Sequence, residues 1–335
     1  MTTSQAPTKK FAPPTVDSLS VRVVVDSRYE RFLPKHTHDH VKIEHVGQVP
    51  RRQMTSLACE WGLSLHLQST RAGAPAQFML DFGYTPEIVL RNADLLDIDP
   101  GKIDGLILSH AHRDHFGGLT GFVTQHRSRM RDDLCFYNGG EEGFREKMLG
   151  DPKDPISWGR VDRTTLTAQA VKPCSCSEPH IIEEQAFTTG FIPRNSFETV
   201  SGGSMVYEYD HFTETERRGK LMKDTHPDEH ATCYIVQSKG LVVISSCGHV
   251  GLINTIKQAM HVSGVSKLHA VLGGFHLVTA PPEYIEQTVA ELEALNPDVV
   301  IPMHCSGEDF INSLRRRMPA KLVTTNVGSR FTFTA

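Results

Sequence analysis

Four residues able to ligate a metal fall within the six-residue run His110-Ala111-His112-Arg113-Asp114-His115, directly after the apolar stretch Ile103 to Leu108. Side chains two apart on an extended segment point the same way, so His110 and His112 can grip one ion. If the chain then turns into a helix, Asp114 and His115 are aimed at a second ion close by. Nitrogen plus carboxylate ligation suits Zn, Fe or Mn rather than Mg or Ca. Gly117 and Gly118 follow, read as letting the backbone approach the ions closely. The chain holds 18 His in 335 residues, which makes the spacing of the others worth tracing.

The elements that must position these groups can be read from hydrophobic periodicity. Val21 to Asp26, Leu63 to Gln68 and Gln77 to Phe82 read as antiparallel strands, and Pro86 to Leu95 as a helix. A further helix is expected around Glu141 to Leu149. From Ala231 to Gln237 and Leu241 to Ser246 two strands lead into alternating helices and strands. Leu252 to His261, Glu283 to Leu295 and Phe310 to Arg317 are helical; Leu268 to Leu272, Val299 to Pro302 and a closing Leu322 to Val327 are strands. At the ends of three of these strands stand Cys247-Gly248-His249, Gly273-Gly274-Phe275-His276 and Met303-His304-Cys305. The carboxyl ends of strands are where α/β sheets place their sites.

Composition sets the outer limits. The length predicts about two domains, or one large domain with a long insertion, and the weakly patterned stretch 119–225 is read as that insertion, lining the site. A net charge of −4 argues against nucleic acid as the main partner. Arg315-Arg316-Arg317 reads as a solvated helix face. The exposed-looking His36, His38 and His40 read as a polar loop. Residues 1–20 are polar, lack an apolar run of signal-peptide length, and are read as a disordered tail on a cytoplasmic protein. No apolar run is long enough to predict a membrane span. Seven scattered Cys read as reduced thiols. Cys174, Cys176 and His180 fall short of a structural zinc site.

The run His-x-His-x-Asp-His resembles the motif of the metallo-β-lactamase superfamily. "FMLDFG", "LILSHAHRDHFGGL", "TTGFIPR", "GLVVISSCGHVGLINTI", "VLGGFHL", "IPMHCSG" and "VGSRF" look like the branch typified by the archaeal dihydropterin synthase of methanopterin biosynthesis and its bacterial relatives. The resemblance covers nearly the whole chain from about Val21. It implies an α/β fold, the αββα sandwich, as a single domain over 21–335 with the long insertion after the first metal motif.

Residue by residue, the resemblance implies His110 and His112 on a first metal and Asp114, His115 and His304 on a second, with Asp81 orienting a ligand His from behind. His249 is the candidate for the third ligand of the first metal. His226 and His230, ahead of the Ala231 strand, are alternatives. Cys247 stands where most superfamily hydrolases have a bridging Asp, so a thiolate ligand is the expectation there. His276 is read as a ligand, as a hydrogen-bond donor to substrate or hydroxide, or as a buried structural His, and Arg194 as a clamp for a phosphate or carboxylate or as a plain surface Arg. Two divalent ions, Zn first with Fe or Mn as alternatives, would make the protein a dinuclear hydrolase. A bridging hydroxide would attack an ester, lactone or phosphodiester of a small-molecule substrate. A transferase acting on a diphosphate, as in the resembling branch, and a mononuclear iron oxidoreductase are the alternatives. The sequence carries no signal for oligomeric state.

Overall fold

The structure, a computed structural model, describes residues 11–33, 36–46, 55–208 and 219–335. Strand alternation accounts for its layers. In Gly240–Ser245, Val242 and Ile244 enter one apolar core while Leu241 and Val243 enter another, so this strand is buried on both faces. Ala74–Leu80 does the same, with Phe78 and Leu80 in the first core and Met79 in a third. The first core, which holds Val21, Leu65, Leu272 and Phe331, lies between two sheets. Helices cover both outer faces. Val89 and Phe122 pack from Pro86–Leu95 and Leu119–His126 on one side. Ile253, Val289 and Leu314 pack from Leu252–Ser263, Pro282–Leu295 and Glu308–Arg317 on the other. This is the αββα sandwich that the resemblance implied.

Among the described residues one sheet has eight strands, in the order Lys172–Ser175, Cys135–Asn138, Gly105–Ile107, Ala74–Leu80, Ser64–Arg71, Ser18–Val25, Arg330–Thr334 and Lys42–Glu44. The other runs Ile181–Ile182, Ala186–Thr188, Thr232–Val236, Gly240–Ser245, Leu268–Gly273 and Val299–Pro302, with Thr15–Val16 also paired to Thr232–Val236. Gly240–Ser245, Leu268–Gly273 and Val299–Pro302 are parallel neighbours, as are Ala74–Leu80 and Gly105–Ile107. Their carboxyl ends carry the chemistry-bearing loops, as a strand-end site requires. The described residues contain no helix long and apolar enough to cross a membrane.

Five expectations need correction. The tail ends before residue 20: Thr15–Val16 and Ser18–Val25 are strands, because the alternation Ser18-Leu19-Ser20-Val21 buries Leu19 and Val21 between the sheets. Residues 1–10 of that tail lie outside the described residues. Stretch 119–225 is not one insertion, since Cys135–Asn138 and Lys172–Ser175 belong to the eight-stranded sheet and Ala186–Thr188 to the other. The added layer is a separate sheet of Leu221–Lys223, Met205–Tyr207, Lys147–Asp151 and Asp154–Gly159. Within it the expected helix at Glu141 to Leu149 is a short 3₁₀ turn, Gly140–Phe144, followed by a hairpin strand that buries Lys147 and Met148. Cross-strand pairing and burial outweigh the helix propensity of its Glu, Arg and Lys.

The closing strand is Arg330–Thr334 rather than Leu322 to Val327. Phe331 and Phe333 insert between the sheets there, whereas Leu322 makes only an isolated bridge to Val300. Lastly, Gly117 and Gly118 serve packing rather than approach to ions. A Cβ on either would stand 2.0 Å from the Tyr84 carbonyl oxygen or 2.3 Å from that of Phe82.

Candidate metal centre

The metal-ligand motif spans a strand end and a helix start: Gly105–Ile107 ends, His112 is still extended (φ −90°, ψ 146°), and Arg113–Phe116 is one helical turn. The turn separates His110 and His112 from Asp114 and His115. The ring centroids of His110 and His112 are 4.6 Å apart, and those of His249 lie 4.9 and 4.5 Å from them. On the other side, Asp114 Oδ2 is 3.3 Å from His304 Nε2 and 3.8 Å from His115 Nε2. Cys247 lies between the two groups. Its Sγ and ligand atoms of His110 and His249 fall within 4.8 Å of one another, and the same holds for Cys247, His115 and His304. His226 stacks on His249 with rings 4.2 Å apart and joins a third set with His112 and His249.

The groups behind these side chains fix their aim. Asp81, fully buried, accepts from the Ser109 N–H, the Ser109 hydroxyl and His115 Nδ1, each at 2.8 Å. His112 Nε2 meets the Ser204 hydroxyl at 3.0 Å, and His249 Nδ1 meets the Ser201 carbonyl at 3.1 Å. Glu229 accepts the backbone N–H groups of His249 and Val250, and Asp26 accepts that of His304. Such hydrogen bonds set ring orientation and ligand basicity. Asp81→Asn, which keeps a side chain tolerated at φ +58°, is expected to weaken metal affinity by about 10–100-fold. Competition against a chromophoric chelator measures this, and unchanged affinity would show that packing alone aims His115.

A test of whether these residues suit metal ions lies in their unmade hydrogen bonds. His110 Nε2, His249 Nε2 and Asp114 Oδ1 are buried and make no hydrogen bond, and His115 Nε2 and His304 Nε2, likewise without one, face Asp114 Oδ2 at 3.8 and 3.3 Å. Buried polar atoms are normally paired because desolvation is costly, and here the orphans converge. Burial, then the charge of neighbouring His, holds His110, His112 and His249 well below the usual imidazole value. They are therefore neutral, the form that ligates metal. His304 differs: burial opposes its charge, but Cys305 and Asp114 outweigh burial and hold it well above the usual value. The donor set fits divalent cations.

His112, Asp114, His249 and His304 open into a cleft of about 140 Å³ whose other lining residues include Trp61, Trp158, Ser204, Cys247, His276 and Cys305. That is below the roughly 300–1,000 Å³ of pockets that enclose a drug-sized molecule. Leu149, Trp158 and Ser204 come from the added sheet or the loop beside it, making that layer the roof.

His276 sits at the cleft, its ring 4.1 Å from that of His249. Arg194 does not line the cleft; it is exposed and donates to the Thr225 carbonyl, because its loop runs along the outside of the roof strand's exit. His230 is buried, does not line the cleft, and donates its backbone N–H to the Ser109 carbonyl. Cys174 lies 2.9 Å from Cys135 across two paired strands.

Sequence reading missed Lys147, Asp224 and Asp228. Lys147 Nζ is 2.8 Å from Asp224 and 3.4 Å from Asp228, all three buried, and Asp228 Oδ2 accepts the N–H of Ala111 between the two motif histidines. It also missed the role of Trp61 and Trp158, the chain's two tryptophans, whose rings lie 4.9 and 4.8 Å from His304 and His112. Their rarity was the only available signal.

A layered sandwich with its His-x-His-x-Asp-His turn at the strand ends defines a metallo-β-lactamase fold, and that is the fold of this chain. The model of the metallo-beta-lactamase superfamily matches residues 73–166. The chain is 26% identical over 296 residues to the 7,8-dihydropterin-6-methyl-4-(β-D-ribofuranosyl)-aminobenzene-5′-phosphate synthase of Methanocaldococcus jannaschii, covering 85% of this chain and 97% of that protein. An uncharacterised protein of the same organism is 26% identical over 249 residues, 71% of this chain and 82% of its own length. The crystal structure of a metal-dependent hydrolase of the β-lactamase superfamily superposes with a TM-score of 0.68 at 21% identity, over 93% of this chain and 98% of that one.

Proposed function

We propose that the protein is a dinuclear metal-dependent hydrolase acting on an ester, lactone or phosphodiester of a small molecule. His110, His112 and His249 would hold one divalent cation and Asp114, His115 and His304 a second, with zinc as the native ion and Cys247 between them. The observation that carries this reading is the convergence of buried ligand groups on either side of Cys247, His110 with His249 and His115 with His304 and Asp114, beside a cleft that His249, His304 and Asp114 line. Bound there, the cations would supply Lewis acidity and an activated water.

The chain's own groups do the rest. Asp81, Ser204 and the Ser201 carbonyl hold the ligand imidazoles in one orientation. Trp61 and Trp158 wall the cleft and narrow the water-exposed approach. His276, across from His249, is placed to hydrogen-bond a substrate oxygen at its imidazole.

A second reading, a synthase-like transfer, is favoured by one observation besides the likeness to the archaeal synthase. Two indole rings flank the cleft, and indole faces stack flat aromatic groups.

Elemental analysis coupled to a panel of bis(p-nitrophenyl) phosphate, a simple ester and a lactone tests the proposal. The expected result is two ions per chain and turnover of one substrate class, lost on chelation and restored by Zn²⁺. Protein without metal, or activity that survives chelation, would sink it. Turnover only with a second organic substrate present would favour the transferase, and oxygen uptake on a single iron the oxidoreductase.

A further inference from the structure

We propose that Cys247, His276 and Cys305 form a further, sulfur-rich cation site that adjoins the histidine centre and takes a thiophilic divalent ion such as Zn²⁺ or Cd²⁺. The three residues come from three successive strand ends, after Gly240–Ser245, Leu268–Gly273 and Val299–Pro302. Their ligand atoms all lie within 4.8 Å of one another. Cys247 Sγ is 3.3 Å from Cys305 Sγ and 3.3 Å from His276 Nδ1. Zinc binds sulfur at about 2.3 Å and imidazole nitrogen at about 2.0–2.1 Å, so donors at these separations can share one ion.

Donor chemistry separates this site from its neighbour. Two sulfurs and one nitrogen without a carboxylate favour soft ions, whereas the neighbouring centre offers imidazole nitrogens and a carboxylate around the one shared sulfur of Cys247. The site is also built. Cys247 and Cys305 are buried, and the His276 N–H points at Cys305 Sγ, 3.2 Å away. His276 and His304 both adopt left-handed backbone conformations, φ +47° and +48°, which cost energy in residues other than glycine. The surrounding fold holds them there, and both imidazoles line the cleft with Cys247 and Cys305. On binding, each thiol that ligates forms a metal–sulfur bond and gives its proton to solvent. The proposal rests on the metal centre described above only through Cys247, which the two share.

Cadmium titration of the apoprotein under a non-thiol reductant tests it, with bound ions counted by equilibrium dialysis and thiolate ligation read from the ultraviolet charge-transfer band. Cys305→Ser and His276→Asn should each bind one ion fewer than the wild type, and Cys305→Ser, read in a Cys135→Ser/Cys174→Ser background that removes the other close thiol pair, should weaken the band because one of the site's two thiolates is gone. Asn tolerates the left-handed backbone at 276, and far-ultraviolet circular dichroism confirms that each variant is folded. His112→Ala should keep the band, so failure of the histidine centre leaves a different signature. An unchanged ion count and band in both Cys305→Ser and His276→Asn would overturn the sulfur site.

Discussion

Replacing His112 with alanine is expected to remove an ion from the purified protein and to lower kcat/KM by about a thousandfold or more on any substrate the wild type turns over. His112 stands within 4.9 Å, ring to ring, of His110, His226 and His249, so its loss takes one donor from the cluster proposed to hold the first ion. A cation at a reacting oxygen is worth several kcal/mol of transition-state stabilisation, and about 4 kcal/mol corresponds to roughly three powers of ten. Truncation also frees the Ser204 hydroxyl, which joins the roof to the centre. Metal content by elemental analysis and steady-state kinetics on the same preparation measure both effects. Full metal content with full activity would exclude His112 from the machinery.

The largest effect on stability is expected at Lys147. Its ammonium, Asp224 and Asp228 are all buried, with side chains at most 1% exposed. Removing one partner of such a cluster strands the other charges in a medium that solvates them poorly, at a cost of about 3–5 kcal/mol. Lys147→Met should therefore lower the urea midpoint by an equivalent amount. It should also loosen the metal-ligand loop, since Asp228 holds the N–H of Ala111.

The pH dependence follows from the same cluster. Burial works to lower the Lys147 pKa, but Asp228 and Asp224 outweigh it and hold the group above its ordinary 10.5. Its contribution is thus fully present below about pH 10.5 and lost as pH rises through the higher folded-state value. Lys147→Met should lack that alkaline decline. A midpoint equal to the wild type's would mean that the roof is held by other contacts.

Much of the centre was legible in the chain because its parts are local. His110, His112, Asp114 and His115 are brought together by a strand end and one helical turn, both readable from a short apolar run and its abrupt end. Val299–Pro302 and Gly240–Ser245 are short runs apolar enough to be recognised as buried strands, and the His that follow each were found for that reason. The branch resemblance supplied the layered fold, which periodicity alone left as an α/β protein with a strand-end site.

The roof was not legible for the opposite reason. Lys147 sits in a sequence that reads as a charged helix, and only pairing with Asp154–Gly159 and burial against Asp224 and Asp228, far along the chain, make it a strand. Arg194 has the right chemistry and the wrong place, which no spacing within its own segment could reveal.

By itself the sequence determined the ligand types, the metal-motif spacing and the strands that present them, because these depend on neighbours a few residues apart. Only the tertiary structure decided which distant groups complete the centre. It put Cys305 beside Cys247, the two tryptophans at the mouth and Asp228 behind Ala111, and it made His115 the partner of the Asp81 that the resemblance had pointed to. Those contacts join residues separated by tens to hundreds of positions, and their geometry is set by how the two sheets and the roof pack, a property that local periodicity does not encode.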